Sequence, residues 1–468
     1  MTARETKRRA MLTKRFSQSS SEQVVASDYL LRAFWRVARL VAFLSVAVCF
    51  TSCGFGSSTP PPPPPALPPA TPLPDESNNE GAIRFLEERV KKDPLDFIAY
   101  NKLAGYYLQR QRETGNVTYL DLATRAARAS LAAIPAEQNT GGLAALAYAE
   151  YSAHNFAAAR DHALRLTELA PGKSYPYELL SDALEELGEY EQARDALRKA
   201  EQIARTLNTE TRLARWAILQ GQTDTAVRRF STSLIIALNE YAISRETVAW
   251  CRWQLGETAF STGNYQTAEQ HYKDTLTTFP NYYRAVASLG RVRAAQGDLS
   301  GAIVQYEQAV KILPDPAFVA ALGDLYKLQG RDKEAADRYA LVEQIGKLST
   351  LNGALYSRQL ALFYADHDAK PEEAYASAKQ EYETRRDIYG ADALAWTALK
   401  AGKIDEAQAA IKEALRLGTK DAKLYYHAGM IARAAGKTAE ATDYLKRALA
   451  LNPQFDPMQA AIAKKALE

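Results

Sequence analysis

The sequence predicts an all-α solenoid of about ten stacked helical hairpins, and three recurring residues support this prediction. One alanine recurs at spacings of 34, 33, 42, 34, 33, 39, 33 and 34 residues. A glycine stands five residues before most of these alanines, and a proline stands twelve residues after several of them. The alanines in register are Ala159, Ala193, Ala226, Ala268, Ala302, Ala335, Ala374, Ala407 and Ala441. A repeat of this length is typical of proteins in which each unit contributes two helices.

Each recurring residue has a physical role in a helix–turn–helix unit. The glycine between the two helices adopts a positive φ at little cost, so it ends the first helix. The small alanine lets two helix backbones approach closely. The proline stops the second helix because it cannot continue the hydrogen-bond ladder. One hairpin cannot bury both of its faces, so neighbouring hairpins are expected to stack into a continuous array.

This pattern resembles the tetratricopeptide repeat, and the resemblance is clearest from Leu255 to Pro280 (LGETAFSTGNYQTAEQHYKDTLTTFP). It covers essentially all of the chain beyond Glu80, with about ten units between Phe97 and Pro453. The resemblance implies a right-handed superhelical solenoid. It also implies that the first helix of each repeat lines a concave groove, which holds extended peptides or partner helices.

Three departures from the regular period predict local features. The spacing of 42 indicates eight extra residues at 237–244, which we expect to extend a second helix. A lone second helix is expected ahead of the repeats, ending near Pro94. Beyond the last repeat, Asp456 and Pro457 are typical of a helix N-cap followed by proline at the first helical position, and predict a short capping helix.

The N-terminal residues predict a bacterial lipoprotein signal. A stretch rich in arginine and lysine precedes the eleven-residue apolar run 40–50, which matches a signal-peptide core and is shorter than the ~20 residues of a spanning helix. The small residues before Cys53 resemble a lipobox, which implies cleavage before Cys53 and lipidation of its thiol, although Phe50 replaces the usual leucine. The alternative is an uncleaved anchor with an incidental cysteine. Translation starts at Met1 or at Met11.

A proline-rich stretch follows the lipobox. Ten of the chain's 20 prolines lie between Pro60 and Pro74, and they favour an extended polyproline helix that cannot build a core. We interpret it as a spacer that holds the folded part on the order of 45 Å from the membrane, at ~3.1 Å per residue. The alternative is a docking site for a proline-recognising domain.

These observations divide the chain into four regions. The expected boundaries are a lipoprotein-type signal peptide at 1–52, a lipidated cysteine with a proline-rich linker at 53–80, a repeat solenoid at 81–455 and a C-terminal capping helix at 456–468.

Composition argues against several classes of function. The formal net charge is +3, and the lysines and arginines are not clustered, so we expect no nucleic-acid partner. Only three cysteines are present, and two of them, Cys49 and Cys53, lie beside the leader. A disulfide framework is therefore excluded for the main body, and Cys251 is expected to be a buried structural thiol.

We find no signature of catalysis or of a bound cofactor or metal. The five histidines lie in different repeats without metal-ligand spacing, and neither a nucleotide-binding glycine loop nor a nucleophile elbow occurs. The sequence Asp366-His367-Asp368 is interpreted as a solvated polar turn. The sequence therefore predicts a protein that is not an enzyme.

The groove-lining positions of the tetratricopeptide repeat carry over to specific residues here. In the central repeats they are Trp250, Trp253, Glu257, Phe260, Arg215, Arg284 and Arg291, with Ile218 beside them. An earlier repeat contributes an acidic stretch of Tyr175, Glu178, Asp182 and Glu185. Aromatic rings flanked by arginines suit a partner segment with aromatic and acidic side chains, because tryptophan and arginine are favoured as binding anchors. The alternative is that one or both tryptophans pack in the core.

The resemblance leads to two hypotheses of function. The first is a lipid-anchored scaffold that binds protein partners in its groove and serves an envelope assembly or export machine, by analogy with repeat lipoproteins of similar layout. The second is an envelope receptor for a small molecule or a glycan, which requires a closed pocket within the superhelix. If the host has two membranes, Gly54 after the lipidated cysteine favours the outer membrane, because the aspartate that often marks inner-membrane retention is missing.

Overall fold

The computed structural model describes residues 63–74, 78–351 and 357–468. The predicted signal peptide and Cys53 lie outside these ranges. Within them the chain forms 22 α-helices and no β-strand. In chain order these are α1 (Asn78–Lys92), α2 (Phe97–Thr114), α3 (Thr118–Ala133), α4 (Thr140–Ser152), α5 (Phe156–Leu169), α6 (Tyr175–Glu186), α7 (Tyr190–Ile203), α8 (Leu207–Leu219), α9 (Thr223–Leu238), α10 (Arg245–Ser261), α11 (Tyr265–Thr278), α12 (Tyr283–Ala295), α13 (Leu299–Ile312), α14 (Pro316–Leu328), α15 (Asp332–Leu351), α16 (Ser357–Asp366), α17 (Pro371–Thr384), α18 (Ile388–Lys400), α19 (Ile404–Ala414), α20 (Ala422–Ala434), α21 (Thr438–Leu451) and α22 (Gln459–Lys465).

The helices pair into ten hairpins, numbered here from hairpin 1 (α2 and α3) to hairpin 10 (α20 and α21). This arrangement confirms the predicted all-α solenoid of about ten units. Helix α1 precedes hairpin 1, as expected for a lone second helix, and α22 follows hairpin 10. The helices of each hairpin pack against one another, and successive hairpins pack in chain order.

The packing inside the hairpins explains a second set of glycines, which follow a leucine within the first helix, as in Leu255-Gly256 and Leu289-Gly290. A Cβ atom at Gly256 would lie only 2.4 Å from Cε1 of Tyr272, a fully buried ring on the second helix of the same hairpin. In the next hairpin, a Cβ at Gly290 would lie 2.6 Å from Cδ2 of Tyr306. The first helix therefore needs glycine at these positions so that the tyrosine ring of the second helix can pack against its backbone.

One predicted local feature is correct only in part. Helix α9 has 16 residues, two more than the second helices α7 and α11, and it ends at Leu238, so the other extra residues lie in the connection 239–244 and at the start of α10. The side chain of Tyr241 in this loop is fully exposed. The insertion thus widens the connection between hairpins 4 and 5 and adds about one helical turn to the start of α10, which has 17 residues where α8 and α12 have 13.

The superhelix makes contact with itself. The Tyr190 hydroxyl of hairpin 3 accepts a hydrogen bond from the backbone N–H of Ile388 in hairpin 9, 198 residues later, at 2.8 Å. Asn452, just after hairpin 10, donates from Nδ2 to the backbone oxygen of Phe260 in hairpin 5 at 2.8 Å. Thr419 donates from its hydroxyl to the carbonyl of Leu219. One superhelical turn therefore takes between five and six hairpins.

The contact between turns of the superhelix advances one hairpin at a time. The glycines that join the two helices of hairpins 1, 3 and 4 each face a junction between two hairpins of the following superhelical turn, and the glycine of hairpin 5 faces the residues just after hairpin 10. These close approaches are Gly115 to Leu313, Gly188 to Arg386, Gly221 to Gly418 and Gly263 to Pro453. At Gly188, where φ is +74°, a Cβ would lie 2.4 Å from the backbone oxygen of Arg386. At Gly188 and Gly221, backbone thus meets backbone where the two turns touch.

The proline-rich residues 63–74 do not extend away from the solenoid as the spacer interpretation predicts. They form neither helix nor strand, and they lie against hairpins 4 and 5. Leu67 and Leu73 pack on an apolar cluster of these hairpins, and the N–H of Leu73 contacts the carbonyl of Thr278 at 3.4 Å. The two leucines between the prolines give this stretch an apolar surface, and that surface packs against buried residues of hairpins 4 and 5.

The last helix begins at Gln459, two residues later than the sequence predicts, and Met458 is its N-cap residue. One carboxylate oxygen of Asp456 accepts hydrogen bonds from the backbone N–H groups of Met458 and Gln459 at 2.9 and 2.8 Å, so Asp456 satisfies free donors at the start of α22. None of the described helices is long and apolar enough to cross a membrane.

Candidate functional site

The first helices of the hairpins, together with the connections that face them, surround an interior space that we call the lumen. It contains two cavities, of about 400 Å³ and about 600 Å³. The first cavity is lined by Glu185, Glu186, Tyr190, Arg215, Ile218, Leu219, Thr223, Phe230, Gln254, Glu257, Thr258, Phe260, Ser261, Arg291, Arg385, Asp387, Tyr389, Lys420 and Asp421. The second cavity is lined by Asn101, Gly105, Leu108, Arg112, Ala144, Ala145, Tyr148, Tyr151, Tyr175, Glu178, Leu179, Asp182, Leu207, Asn208, Thr211, Arg212, Arg215, Glu246, Thr247 and Trp250.

The first cavity lies where two turns of the superhelix meet, and ion pairs hold its wall together. Arg385 donates to Glu186 at 2.7 Å and lies 3.1 Å from Asp387, so a side chain just before hairpin 9 binds hairpin 3. Arg215 donates to Glu185 at 2.7 Å from the neighbouring hairpin. The arginines in this wall are therefore paired with carboxylates from other helices.

Two adjacent carboxylates of the first cavity differ in their affinity for protons. Burial raises the pKa of Glu185 to about 7, although the nearby Arg215 opposes the shift. Burial acts in the same direction on Glu186, but the guanidinium groups of Arg385 and Arg215 outweigh it and lower the pKa of Glu186. One carboxyl group in this wall therefore gains a proton near neutral pH while its neighbour stays ionised.

The contrast between these two residues predicts a pH-dependent stability. A carboxyl group whose folded-state pKa is raised contributes stability that is present below its unfolded pKa and is lost as the pH rises through about 7. Relative to wild type, Glu185→Gln is therefore expected to become progressively more stable between pH 5 and pH 8, as measured by chemical denaturation midpoints. Glu186→Gln is the matched control, and its difference from wild type should stay constant over this range because the pKa of Glu186 is lowered. Parallel behaviour of the two variants would contradict the assignment.

The second cavity is larger, and its lining, unlike that of the first, comes from the first helices of hairpins 1 to 5. Four aromatic side chains line it, namely Tyr148, Tyr151, Tyr175 and Trp250. Its charged side chains are paired across helices. Arg212 forms a two-pronged contact with Asp182 at 2.5 and 2.9 Å, and Arg112 of α2 reaches Glu246 of α10 at 3.3 Å. The second pair joins residues 134 positions apart in the sequence, so it spans the lumen from hairpin 1 to hairpin 5.

Five of the seven residues predicted to line the groove line these cavities. The first cavity is bordered by Arg215, Glu257, Phe260 and Arg291. The second cavity is bordered by Trp250 and also by Arg215. Phe260 also belongs to the core, with only 4% of its surface exposed. The acidic stretch predicted from hairpin 3 also lies in the lumen. Tyr175, Glu178 and Asp182 border the second cavity, and Glu185 borders the first.

The other two predicted residues pair with each other. The guanidinium carbon of Arg284 lies 5.4 Å from the ring centre of Trp253, and Trp253 donates from its indole nitrogen to the Ser288 hydroxyl at 3.0 Å. Neither residue borders one of the two cavities. Trp250 is half-buried and meets Phe230 edge-on at 6.0 Å between ring centres. Trp250 therefore contributes both to packing and to the wall of the second cavity, whereas Trp253 contributes to packing against hairpin 6.

Glu257 and Arg291 form the central ion pair of the predicted groove. Arg291 donates to Glu257 at 2.6 Å and lies over the ring of Phe260 at 4.1 Å, while Tyr272 and Ser288 also donate to Glu257 at 2.6 and 2.9 Å. Arg291 lowers the pKa of Glu257 against the opposing effect of burial. Arg291 and Arg215, two of the three arginines expected to meet an acidic partner, are thus already paired with carboxylates of the protein.

The structure adds lumen residues that the sequence analysis missed. Arg385, Asp387, Tyr389, Lys420 and Asp421 come from the starts of hairpins 9 and 10, and they enter the first cavity only because the superhelix closes on itself. Burial raises the pKa of Tyr389 well above its usual value, although its side chain remains accessible from the lumen. No repeat period gives the number of hairpins in a superhelical turn, so nothing in the sequence placed these residues there.

The predicted polar turn at 366–368 is wrong in part. The ring of His367 lies 4.7 Å from that of Tyr339, and its Nε2 is 2.7 Å from Asp324. Asp366 accepts hydrogen bonds from the indole nitrogen of Trp396 and from Lys423, so it also belongs to the packed interior. Only the third residue of this stretch is a solvated side chain, because the helix before it continues to Asp366.

Two further sequence expectations concern reactive groups. Cys251 is fully buried, and burial raises its pKa, so it is a structural thiol as predicted. In the part of the chain that the structure describes, no cluster of three or more histidine, cysteine, aspartate or glutamate side chains has a metal-binding arrangement.

Comparison with known families identifies the repeats. Four family models, each described as a tetratricopeptide repeat, match residues 175–207, 205–281, 259–325 and 393–454. The protein is a tetratricopeptide repeat protein. Tetratricopeptide repeats bind protein partners and are typically non-catalytic, and none of the family models that match here describes an enzyme.

Solved structures show weaker similarity. A human IFIT1 dimer with PPP-AAAA is 14% identical over 81% of this chain and 95% of its own, with a TM-score of 0.43. A tetratricopeptide repeat protein from Parabacteroides merdae ATCC 43184 is 16% identical over 56% of this chain and 97% of its own, with a TM-score of 0.32. No curated protein matches the sequence. At this level of similarity neither structure bears on the function of this tetratricopeptide repeat protein.

Proposed function

We propose that this protein is a membrane-tethered scaffold of the bacterial cell envelope, and that it binds an extended segment of a partner protein in its lumen. The observation that carries this proposal is the second cavity of about 600 Å³, which is lined by first helices and by four aromatic side chains. Tyrosine and tryptophan bury a large area at low entropic cost, and they are enriched among residues that dominate binding energy.

The paired charges in the lumen define the chemistry of the partner segment. Breaking a buried ion pair is costly, so a ligand carrying one unpaired charge would have to displace an internal partner such as Asp182 from Arg212. A segment with an aromatic anchor and polar backbone groups avoids that cost. We therefore assign the main binding energy to an aromatic side chain of the partner beside Trp250 and Tyr148, with hydrogen bonds to the tyrosine hydroxyls around them.

The membrane part of the proposal is supported by the N-terminal sequence alone. The apolar run 40–50 followed by small residues and Cys53 is typical of a lipoprotein signal, and several acyl chains on one cysteine give durable attachment. We propose that Cys53 carries this anchor and that the solenoid lies on the extracytoplasmic side, at the outer membrane if the host has two. The proposed role in an envelope assembly or export machine is based on analogy with other repeat lipoproteins.

The experiment that tests the proposal is affinity capture with crosslinking from gently solubilised native membranes, comparing wild type with Trp250→Ala. We expect wild type to retain a small set of envelope proteins and Trp250→Ala to lose them at least tenfold, because the substitution removes an aromatic wall of the second cavity. Trp216→Ala is the matched control, since Trp216 is half-buried one hairpin earlier and borders neither cavity.

Two outcomes would count against the proposal. If wild type retains nothing above background, or if both tryptophan variants lose the same proteins equally, the second cavity is not the partner site. The membrane part is tested separately with Cys53→Ala, which should move the protein from the membrane fraction to the soluble fraction. A variant that stays in the membrane fraction would contradict anchoring through Cys53.

A second candidate function is favoured by the enclosure of the lumen. Contacts between superhelical turns border the first cavity, and both cavities fall within the range of about 300–1,000 Å³ that is typical of small-molecule sites. An envelope receptor for a small molecule or a glycan would use these cavities directly. A thermal-shift screen of the purified protein against glycans and metabolites distinguishes the two functions, because only a receptor should show a concentration-dependent rise in melting temperature.

A further inference from the structure

The docked proline-rich segment partly buries one residue in three against the solenoid. Among residues 63–74, the three that are partly buried are Leu67, Ala70 and Leu73, and the other nine are exposed. A polyproline II helix has three residues per turn, so residues spaced by three lie along one face of it. The burial pattern is therefore that of a polyproline helix lying with a single apolar face on the protein.

The surface beneath that face is apolar and belongs to three consecutive helices. Leu67 and Leu73 pack against a cluster of buried residues from α8, α9 and α10. The buried members of that cluster are Ala214, Ala217, Ala226, Phe230, Leu234, Ala237, Val248, Cys251 and Leu255. The carbonyl of Thr278, the last residue of α11, receives the N–H of Leu73 at 3.4 Å. The segment thus crosses the boundary between hairpins 4 and 5.

A buried arginine supplies the polar part of this contact. Arg252 of α10 has only 2% of its surface exposed, and its Nη2 donates to the carbonyl oxygens of Pro68 and Pro69 at 3.2 and 3.4 Å. The carboxylate of Asp274 is 3.8 Å away, beyond hydrogen-bond distance. Burial lowers the pKa of Arg252, as expected for a cation that is incompletely compensated. The proline carbonyls are therefore the hydrogen-bond acceptors of this guanidinium group.

The same position in other repeats is satisfied differently. Arg358 stands sixteen residues before its recurring alanine, as Arg252 does, and it pairs with Glu381 and Asp387 at 2.9 and 3.0 Å. Glu210 occupies this position in hairpin 4 and pairs with arginines at 2.6 and 3.0 Å. A buried charge must have partners. At Arg252 they are backbone carbonyls, which a polyproline helix leaves free because it makes no internal hydrogen bonds.

We propose that α8–α11 carry a binding site for a polyproline strand, that Arg252 determines its specificity by binding the strand's carbonyls, and that its resident ligand is the chain's own segment 63–74. If the anchor at Cys53 proposed above is correct, docking leaves only the ten residues 53–62 between the lipid and the solenoid, with a maximum reach of about 35 Å. The site then holds the face formed by hairpins 4 and 5 toward the membrane.

Photo-crosslinking within the purified full chain tests the site without any partner or membrane. A photoreactive amino acid at Ala70, on the docked face, is expected to crosslink to peptides of α8–α11, as identified by mass spectrometry. The same probe at Thr71, one residue later and exposed, is the matched control and should give at least fivefold less of this product. Equal yields from the two positions, or no product from Ala70, would overturn the proposal.

The role of Arg252 is tested in the same assay. Arg252→Met keeps the length and apolar stem of the side chain but donates no hydrogen bond, so the Ala70 crosslink should fall at least tenfold while the helical circular dichroism is retained. If this variant does not fold, Leu67→Ser/Leu73→Ser removes the other half of the contact without altering the solenoid, and it should give the same loss. An undiminished crosslink in a folded variant of either kind would contradict the assignment. Because neither result involves the lumen, failure here is distinguishable from failure of the scaffold function.

Discussion

Replacing Trp396 with alanine is expected to reduce the free energy of unfolding by about 3–5 kcal/mol, which is typical of removing a large buried aromatic side chain. Trp396 is 2% exposed, stacks on His427 with 4.2 Å between ring centres, and donates from its indole nitrogen to Asp366 at 2.8 Å. The substitution leaves a cavity beside a buried histidine and removes one donor from a buried carboxylate. Both effects act in the same direction.

The measurement is equilibrium denaturation followed by circular dichroism. Trp396→Phe is the control, because phenylalanine keeps most of the packing and loses only the hydrogen bond to Asp366. We expect it to reduce the free energy of unfolding by about 1–3 kcal/mol, since the carboxylate of Asp366 then has one hydrogen-bond donor fewer. A cost below about 1 kcal/mol for Trp396→Ala would mean that hairpins 9 and 10 do not pack around this ring as described.

Gly188→Ala is expected to open the contact between two superhelical turns. The added methyl group would lie 2.4 Å from the backbone oxygen of Arg386, and a backbone atom cannot rotate away as a side chain can. Hairpin 3 must therefore move from hairpins 8 and 9, which breaks the hydrogen bond between Tyr190 and Ile388 and the ion pair between Glu186 and Arg385. We expect a larger radius of gyration in small-angle X-ray scattering and a fall in the denaturation midpoint.

Gly330→Ala is the matched control for this experiment. Gly330 has the same φ of +74° in the same turn of another hairpin, but a Cβ there meets nothing within 4 Å. Both substitutions carry the cost of a left-handed conformation, about 1–2 kcal/mol, and only Gly188→Ala should also change the scattering profile. Identical profiles for the two variants would show that the turns are not held together at this point.

The hairpins could be predicted from the sequence because their determinants are local. Gly256 is required by the ring of Tyr272 sixteen residues later, and such a pair repeats in register along the chain. The eight extra residues before Ala268 were assigned correctly only in part, because spacing counts residues but does not say how they divide between α9, the connection 239–244 and α10. The small rotation between successive hairpins is not encoded in any one position, so the closure of the superhelix was not predictable.

The candidate site shows the same division. Residues of α10 such as Trp250 and Glu257 were placed in the lumen from their position within one repeat. Their internal partners, and the contribution of Tyr389 from hairpin 9, depend on contacts between distant repeats. The docked segment carried a partial signal in its sequence, because Leu67, Ala70 and Leu73 are spaced by three, the period of the helix that prolines favour, although Ala66 and Thr71 also interrupt the prolines.

Contact between superhelical turns has a consequence for the synthesis of the chain. In an open array each hairpin interacts only with its neighbours, so it can complete its packing as soon as the next unit emerges from the ribosome. Here Tyr190 meets a partner 198 residues later in the chain. At ~5–20 residues per second, translation takes about 10–40 s to produce that partner. During this interval Tyr190 and the part of hairpin 3 around it stay exposed in the nascent chain. Hairpin 3 completes its packing only after hairpin 9 has emerged.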